Sequence, residues 1–435
     1  GGAPWLARSA LPISDAGGLE IRVTETADPG APDRLVYHPA VLAVGVGCER
    51  DCDPHEVIAL VEETLAEAGL AAGAVAALVS IDLKADEPAV HAAAKALEVP
   101  ARFFGKVALA AETDRLVNPS DLVRREVGVA GVAEGAALAA AGPEGALVVP
   151  KRKSKRATCA IARAPAPLDP AAIGRPRGRL AVVGTGPGDA AWRTPEVEAE
   201  VRRASDLVGY RLYLDLLGPL VRGKALHAFA LGEEEARVRA ALDLAAEGRR
   251  VALVSSGDPG IYAMAALVFE LLEREDRADW RRIEIAVSPG ISALQAAAAR
   301  IGAPLGHDFC AVSLSDLMTP WAVIERRLVA AAEGDFVVAL YNPVSKRRRH
   351  QLAKAAEILR RRRAAGTPVV LARNLGRPGE RVEVIDLAEL TPERVDMLTL
   401  VLVGSSETRR LAHGGGIWVY TPRGYGGRDD LEASA

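Results

Sequence analysis

The 435-residue chain is 49% apolar and 26% charged, with a formal net charge of −3; this composition excludes wholesale disorder and supplies sizeable cores, with two domains or a little more as the expectation for the length. The balanced charge gives no field that would gather nucleic acid, and no run of eighteen apolar residues offers a membrane span. No basic-then-apolar leader opens the chain, which starts at Gly1-Gly2, so the reading is a cytoplasmic protein, processed or cut from a longer one.

Four cysteines (Cys48, Cys52, Cys159 and Cys310) make no disulfide framework and fit a reducing compartment. The C-x-x-x-C spacing of Cys48 and Cys52 lacks a second ligand pair, so no metal site is expected. Nine lysines stand against 45 arginines, a bias that suits carboxylate-rich ligands, although codon usage gives it equally.

Residues 1–35 show little periodicity. Val41 to Gly47 reads as a buried strand. Asp53-Pro54-His55-Glu56 starts a helix, with Asp53 capping, Pro54 in the first turn and Glu56 placed to reach back; Val57, Leu60, Val61 and Leu65 follow at helical spacing. A strand over 75–81 and helices over 88–97 and 132–140 continue the alternation. Segments 146–149 and 157–162 form a hairpin with Lys151 to Arg156 as its solvated tip. These elements make a small α/β domain over 36–164. Pro165, Pro167, Pro170 and Pro176 mark a linker over 165–178.

Strands are then expected near 180–184, 206–209, 251–255, 283–287, 336–340, 368–372 and 398–403. Helices are expected near 195–204, 233–247, 262–273, 292–301, 320–332 and 346–363. Such repetition implies largely parallel sheets with helices on their faces, and functional loops at the carboxyl ends of the strands. Residues 411–435, rich in glycine, read as a loose tail.

Gly184-Thr185-Gly186-Pro187-Gly188-Asp189 follows a strand but is not a dinucleotide fingerprint. Asp189 stands at the third glycine position, Pro187 removes an amide donor, and the helix waits until Thr194-Pro195. Three further loops share its character: Ser255 to Gly260, Ser288 to Ala293, and Leu340-Tyr341-Asn342-Pro343. Glycine admits close backbone approach and proline fixes loop shape. Singly each reads as a turn. Four in order at strand ends point to a ligand met by backbone amides and carbonyls.

Residues 178–410, which carry these motifs, resemble the tetrapyrrole (corrin/porphyrin) methylase family. The resemblance rests on Val183 to Asp189, Ser256-Gly257-Asp258-Pro259, Pro289 to Ala293 and Leu398 to Gly404. Within the family, Val208-Gly209-Tyr210, Gly232-Glu233-Glu234, Ala252 to Tyr262, Ser313 to Trp321 and Tyr341 to Arg347 resemble the precorrin-3B C17-methyltransferase branch. Gly45 to Arg50, Asp82 to Glu87 and Val129 to Ala137 resemble the C-terminal domain of the cobalamin-pathway protein that opens a lactone on cobalt-precorrin-5A. The larger part of that protein has no counterpart in this sequence, so hydrolase activity is not carried over.

The resemblance implies an α/β protein. Two αβα lobes (roughly 179–290 and 291–410) enclose a cleft, with the small separate α/β domain ahead of them. It implies a homodimer that uses S-adenosylmethionine, a precorrin-type tetrapyrrole substrate, and no nucleic acid or membrane partner. The donor is expected at Pro187, Ser256, Gly257, Asp258, Ser292, Ala293, Asn342, Ala372, Thr399 and Leu400; many relatives carry Met where Asn342 stands. Asp258 either binds the donor's amino group or caps the following helix through an Asx turn.

Methyl transfer from a sulfonium needs alignment and dryness rather than a protein nucleophile. The branch reaction also contracts the macrocycle, which moves protons. Asp189, His307, Asp308 and Asp316 are the loop candidates for acid or base; His307 reads equally as a turn residue and Asp316 as a cap for the helix near Pro320. Arg193, Arg211, Lys346, Arg347, Arg348 and Arg373 could pair with substrate carboxylates, while Arg348, Arg349 and Arg361 to Arg363 read equally as a solvated helix face. Competing readings are a sister methylase of another ring carbon or of the cobalt-containing substrate, a relative acting on RNA or a modified histidine, and a non-catalytic tetrapyrrole carrier or pathway scaffold.

Overall fold

The computed structural model describes residues 3–10, 12–14, 17–345 and 348–424. It divides into two compact units: Gly1–Leu180 with Arg239–Val251 and Leu271–Ala286, and Ala181–Val238 with Ala252–Glu270 and Val287–Ala435. The first unit's leading segment ends at Leu180, beside the linker expected at 165–178, and the unit also takes in two later segments. Gly178 lies so close to Ala245 that a Cβ would sit 1.6 Å from the Ala245 carbonyl oxygen, Arg177 Nε donates to the Arg282 carbonyl (2.9 Å), and these contacts tie the two inserted segments to the first unit.

The first unit opens with a parallel pair, β1 (Glu20–Val23) and β2 (Arg34–Tyr37). Its main sheet uses β3 (Leu42–Cys48), β4 (Val75–Ile81), β5 (Ala101–Phe104), β6 (Ala146–Lys153) and β7 (Ala157–Arg163) in the order β5-β4-β3-β7-β6. The helices between them are α1 (Pro54–Glu67), α2 (Pro88–Ala96), α3 (Lys106–Ala111), α4 (Asp121–Val127) and α5 (Ala133–Ala141). β3, β4 and β5 run parallel, whereas β7 pairs antiparallel with both β3 and β6.

Continuous apolar runs in β3 and β4 bury both faces, as central parallel strands require. Asp53 caps α1 by accepting from the His55 amide (2.9 Å), with Pro54 first in the helix. Glu56 does not reach back. Its Oε1 accepts from Ser154 Oγ (2.5 Å) and the Arg156 amide (2.6 Å), partners that only the tertiary fold brings near. The hairpin turn is shorter than expected, because Lys151 to Lys153 belong to β6; Arg156 is tied down by Glu49 and the carbonyls of Arg50 and Asp51.

The later elements are β8 (Arg179–Gly184), α6 (Pro195–Arg203), β9 (Asp206–Tyr210), α7 (Arg211–Asp215), β10 (Ala225–Phe229), α8 (Glu234–Ala246), β11 (Arg250–Ser255), α9 (Met264–Glu275) and β12 (Glu284–Ser288). Their sheet has the order β10-β9-β11-β8-β12. Then follow α10 (Ala293–Ile301), β13 (Gly302–Ala303), β14 (Phe309–Ser313), α11 (Trp321–Glu333), β15 (Val337–Tyr341), α12 (His350–Arg360), β16 (Pro368–Arg373), β17 (Arg381–Asp386) and β18 (Thr399–Val403). The last sheet, β14-β15-β18-β16-β17, departs from the parallel expectation: only β14 and β15 run parallel, and the other three pairings are antiparallel. The β16–β17 connection, residues 374–380, is too short for a helical crossover and closes a hairpin instead.

The tail reading also needs correction. β19 (Arg409–His413) and β20 (Gly416–Tyr420) form a hairpin, and β20 pairs with β13. Gly414 (φ +58°) and Gly415 (φ +78°) are its two-residue turn. A turn of this kind needs positive φ at both positions, which glycine supplies without strain. Residues 425–435 of the expected tail lie outside the described residues. Among those described, no helix is long and apolar enough to cross a membrane.

Candidate functional site

A cavity of about 430 Å³ opens within the second unit. Its walls are loops at the carboxyl ends of β8, β11, β12, β15 and β16 and the amino end of β18, which runs antiparallel to β16 and so starts where β16 finishes.

Backbone packs against backbone behind this wall. A Cβ on Gly290 would lie 2.2 Å from the Gly257 carbonyl oxygen and 2.4 Å from that of Gly184. Gly186 (φ +76°) and Gly257 (φ +68°) exchange amide–carbonyl hydrogen bonds of 3.2 and 2.7 Å. The Thr185 amide and hydroxyl both donate to the Ser255 carbonyl (2.9 and 3.1 Å). Asp258 locks two loops together: one carboxylate oxygen accepts from the Gly260 amide (2.8 Å), the other from the Gly290 amide (3.1 Å). The Asx turn is therefore present in a residue that also borders the cavity. Ser255 Oγ is buried with no hydrogen-bond partner.

Ser292 caps α10 in a reciprocal box with Gln295, fixing Ala293 at the first turn. Tyr341 Oη accepts from the Leu294 amide (3.2 Å), and burial pushes its phenol up. Its ring lies 5.1 Å from that of Tyr262. Tyr262 and Asn342 both hold φ near +51°, a conformation costly for residues with a side chain and a recurrent feature of functional loops. Asn342 is held from two sides: its Nδ2 donates to Ser313 Oγ (3.1 Å), and its carbonyl accepts from Arg348 Nη2 (3.3 Å). Arg348 is buried and also donates to Ser315 Oγ (3.0 Å), so it is no solvated face.

All ten positions that the resemblance assigns to the donor border this one cavity: Pro187 from the first loop, Ser256 to Asp258 from the second, Ser292 and Ala293 from the third, Asn342 after β15, Ala372 in β16, and Thr399 and Leu400 in β18.

The acid–base and carboxylate candidates fall elsewhere. Asp189 accepts from the Ala191 amide (2.8 Å) to cap a short turn. His307 is exposed, 3.4 Å from Asp308 and accepting from the Asp308 amide. Asp316 accepts from Gln351 Nε2 (2.7 Å) and caps nothing, since α11 starts after Pro320 without a side-chain cap. Arg193 is turned inward onto the Leu216 carbonyl (3.1 Å) and Glu198 (3.6 Å). Arg211 is exposed at the start of α7, and Arg373 is paired with Asp396 (2.6 Å). None of these seven lines the cavity. Lys346 and Arg347 lie outside the described residues.

Sequence reasoning missed Tyr213, Tyr262, Tyr341, Arg237 and Arg377, which do line it. The strand-end rule was enough to find Tyr341, one residue before Asn342 at the end of β15; nothing local marks Arg237. Among the described residues no three His, Cys, Asp or Glu side chains are grouped to hold a metal ion.

Residues 179–391 match the family described as Tetrapyrrole (Corrin/Porphyrin) Methylases, and residues 42–162 match Cobalamin synthesis G C-terminus. A Sinorhizobium sp protein named Precorrin-3B C(17)-methyltransferase is 49% identical over 252 residues, covering 58% of this chain and 98% of its own length. A Salmonella typhimurium protein named Probable cobalt-factor III C(17)-methyltransferase is 43% identical over 246 residues, covering 57% of this chain and 99% of its own. The crystal structure of the methyltransferase CobJ superposes with a TM-score of 0.53 at 47% identity, over 56% of this chain and all of that one. The chain thus belongs to the tetrapyrrole methylase family.

Proposed function

We propose that this chain is a C-methyltransferase of cobalamin biosynthesis. In this reading it carries the methyl group of S-adenosylmethionine to C17 of precorrin-3B, with contraction of the ring to precorrin-4. The observation that carries the proposal is that all ten positions the resemblance assigns to the donor lie on one cavity wall. The names of the relatives support the carbon attacked.

The residues present fit the donor. Glycines at 184 and 290 leave no room for side chains where the loops meet, and Gly257 holds a positive φ there. The orphaned Ser255 hydroxyl offers an unused polar group, and Ala293, Ala372 and Leu400 give an apolar wall. Ser256 to Asp258, Ser292, Asn342 and Thr399 would hold its polar ends. When bound, S-adenosylmethionine supplies a methyl group already activated on a sulfonium.

The protein's part is positional. Asp258 and the glycine contacts fix the loops before any ligand arrives, so little ordering remains to be done at the moment of reaction. Tyr262 and Tyr341 close one wall with aromatic surface and help to keep water from the reacting carbon. The same reading makes the protein a cytoplasmic homodimer, for which light scattering of the purified chain should give twice the 45.6 kDa mass.

The test is incubation of purified protein with S-adenosylmethionine and either precorrin-3B or its cobalt-containing analogue. One added methyl by mass, placed at C17 by carbon labelling, is the expected result, and the macrocycle that reacts settles the cobalt question. Failure of both macrocycles to gain a methyl, with folded and donor-bound protein, refutes the proposal.

A further inference from the structure

Two arginines that no motif singled out line the cavity without a counter-ion. Arg237, on α8, is 3% exposed. Its Nη2 donates to the Ala230 carbonyl (2.8 Å), its Nη1 reaches only the Met264 sulfur (3.7 Å), and its Nε is buried with no partner. Arg377, on the loop after β16, donates from Nε to the Pro187 carbonyl (2.7 Å) and from Nη2 to Ser256 Oγ (2.9 Å). Its guanidinium carbon lies 6.0 Å from the centre of the Tyr213 ring.

Tyr213, Arg377 and Arg237 all line this one cavity. The two acids of the same lining are engaged with amides: Asp258 with Gly260 and Gly290, and Glu234 with Gly232 (3.0 Å). Neither arginine forms an ion pair among the described residues.

A guanidinium held out of water without a carboxylate is costly. Its planar fork of donors matches a carboxylate better than any other common anion save phosphate. We propose that Arg237 and Arg377, which line this cavity together with Tyr213, form a carboxylate-binding subsite of it. The deduction rests on the proposed function for its choice of ligands. A carboxylate can come from two sources there: the amino-acid end of the methyl donor, or an acidic side chain of the macrocycle.

The experiment compares wild type with Arg237→Met, which keeps the length and apolar stem, and Arg237→Lys, which keeps the charge. Binding of S-adenosylhomocysteine is measured by calorimetry and binding of precorrin-3B by absorbance titration, with the melting temperature as a check on folding. For Arg237→Met, one of the two ligands should bind about 10- to 100-fold more weakly while the other is unchanged, since a charge-assisted hydrogen bond to a buried partner is lost. Arg237→Lys should recover part of that loss. The weakened ligand identifies the source of the carboxylate. Loss for neither ligand, or equal loss for both, overturns the subsite. Should the lysine variant or the methionine variant fail to fold, Arg377→Met is read in the same way. Wild type that binds both ligands yet transfers no methyl refutes the proposed function and leaves the subsite standing. Wild type that binds neither refutes both.

Discussion

Gly290→Ala is the sharpest perturbation of the cavity wall. The added Cβ would stand 2.2 Å from the Gly257 carbonyl oxygen, 0.8 Å inside the 3.0 Å that real Cβ atoms essentially never breach, and 2.4 Å from the Gly184 carbonyl oxygen. Both obstacles are backbone, so no side chain can swing aside. The three loops must part by close to an ångström. Their separation also breaks the 3.1 Å hydrogen bond from the Gly290 amide to Asp258. Overpacking of a tight interior costs about 1–3 kcal/mol, and a lost hydrogen bond to a carboxylate adds about 1.5–3 kcal/mol, so the second unit should lose roughly 3–5 kcal/mol of stability. Displacement of this size at a preorganised site costs on the order of 100-fold in rate. Thermal denaturation, calorimetry with S-adenosylhomocysteine and methyl-transfer kinetics read the three effects separately. Gly366→Ala is the control, because its Cβ would meet nothing within 4 Å. A Gly290→Ala protein that melts and binds like wild type would refute the account of a wall built from backbone contact.

Three further outcomes are expected. Glu134 is buried and accepts from the Val117, Asn118 and Lys151 amides and from the Asn118 side chain, each at 2.9 Å; burial raises its carboxyl, but these bonds outweigh it and the net shift is downward. Its contribution is therefore complete above the ordinary carboxylate range and fades as pH falls through the lower folded value; Glu134→Ala should cost about 3–5 kcal/mol at neutral pH and flatten the acid limb of a stability–pH curve. Arg348→Met removes the clamp on the Asn342 carbonyl and should weaken S-adenosylhomocysteine binding by about 3- to 10-fold, measured by calorimetry. Burial pushes the Cys48 thiol up to about 11 and that of Cys159 up to about 12; at pH 8 only about one Cys48 thiol in a thousand is ionised, so iodoacetamide labelling read by mass spectrometry should be far slower than for free cysteine.

The pattern of what the sequence discloses follows the range of the forces involved. Strands β3, β4 and β8 are legible because burial on both faces writes an unbroken apolar run. β14 and β17 are not: both are only partly buried, and in β17 polar side chains interrupt the run. Gly414-Gly415 looks like looseness until its partners, His413 and Gly416, are known to pair. The cavity loops are legible for a local reason: positive φ at Gly186 and Gly257 and the close approach at Gly184 and Gly290 demand glycine whatever lies beyond.

Charge obeys no such local rule. Arg237 sits in Glu233-Glu234-Glu235-Ala236-Arg237-Val238-Arg239, which reads as an exposed helical face, and only tertiary packing buries it. Arg348, in a run of basic residues, is likewise turned inward to hold Asn342. The arginines that stood out in the sequence, Arg193 and Arg373, already have acidic partners. A guanidinium satisfied by its own fold has little left for a ligand, whereas one kept dry and unpaired does. Glycine and proline therefore mark the loops of the wall, while Ala372, Thr399 and Leu400, on strands, come only from the family resemblance. A carboxylate ligand is best sought among cations that the fold leaves without an acid: in this cavity Arg237, buried with its Nε unpartnered, and Arg377, half-buried and bonded to a carbonyl and a hydroxyl, are such cations.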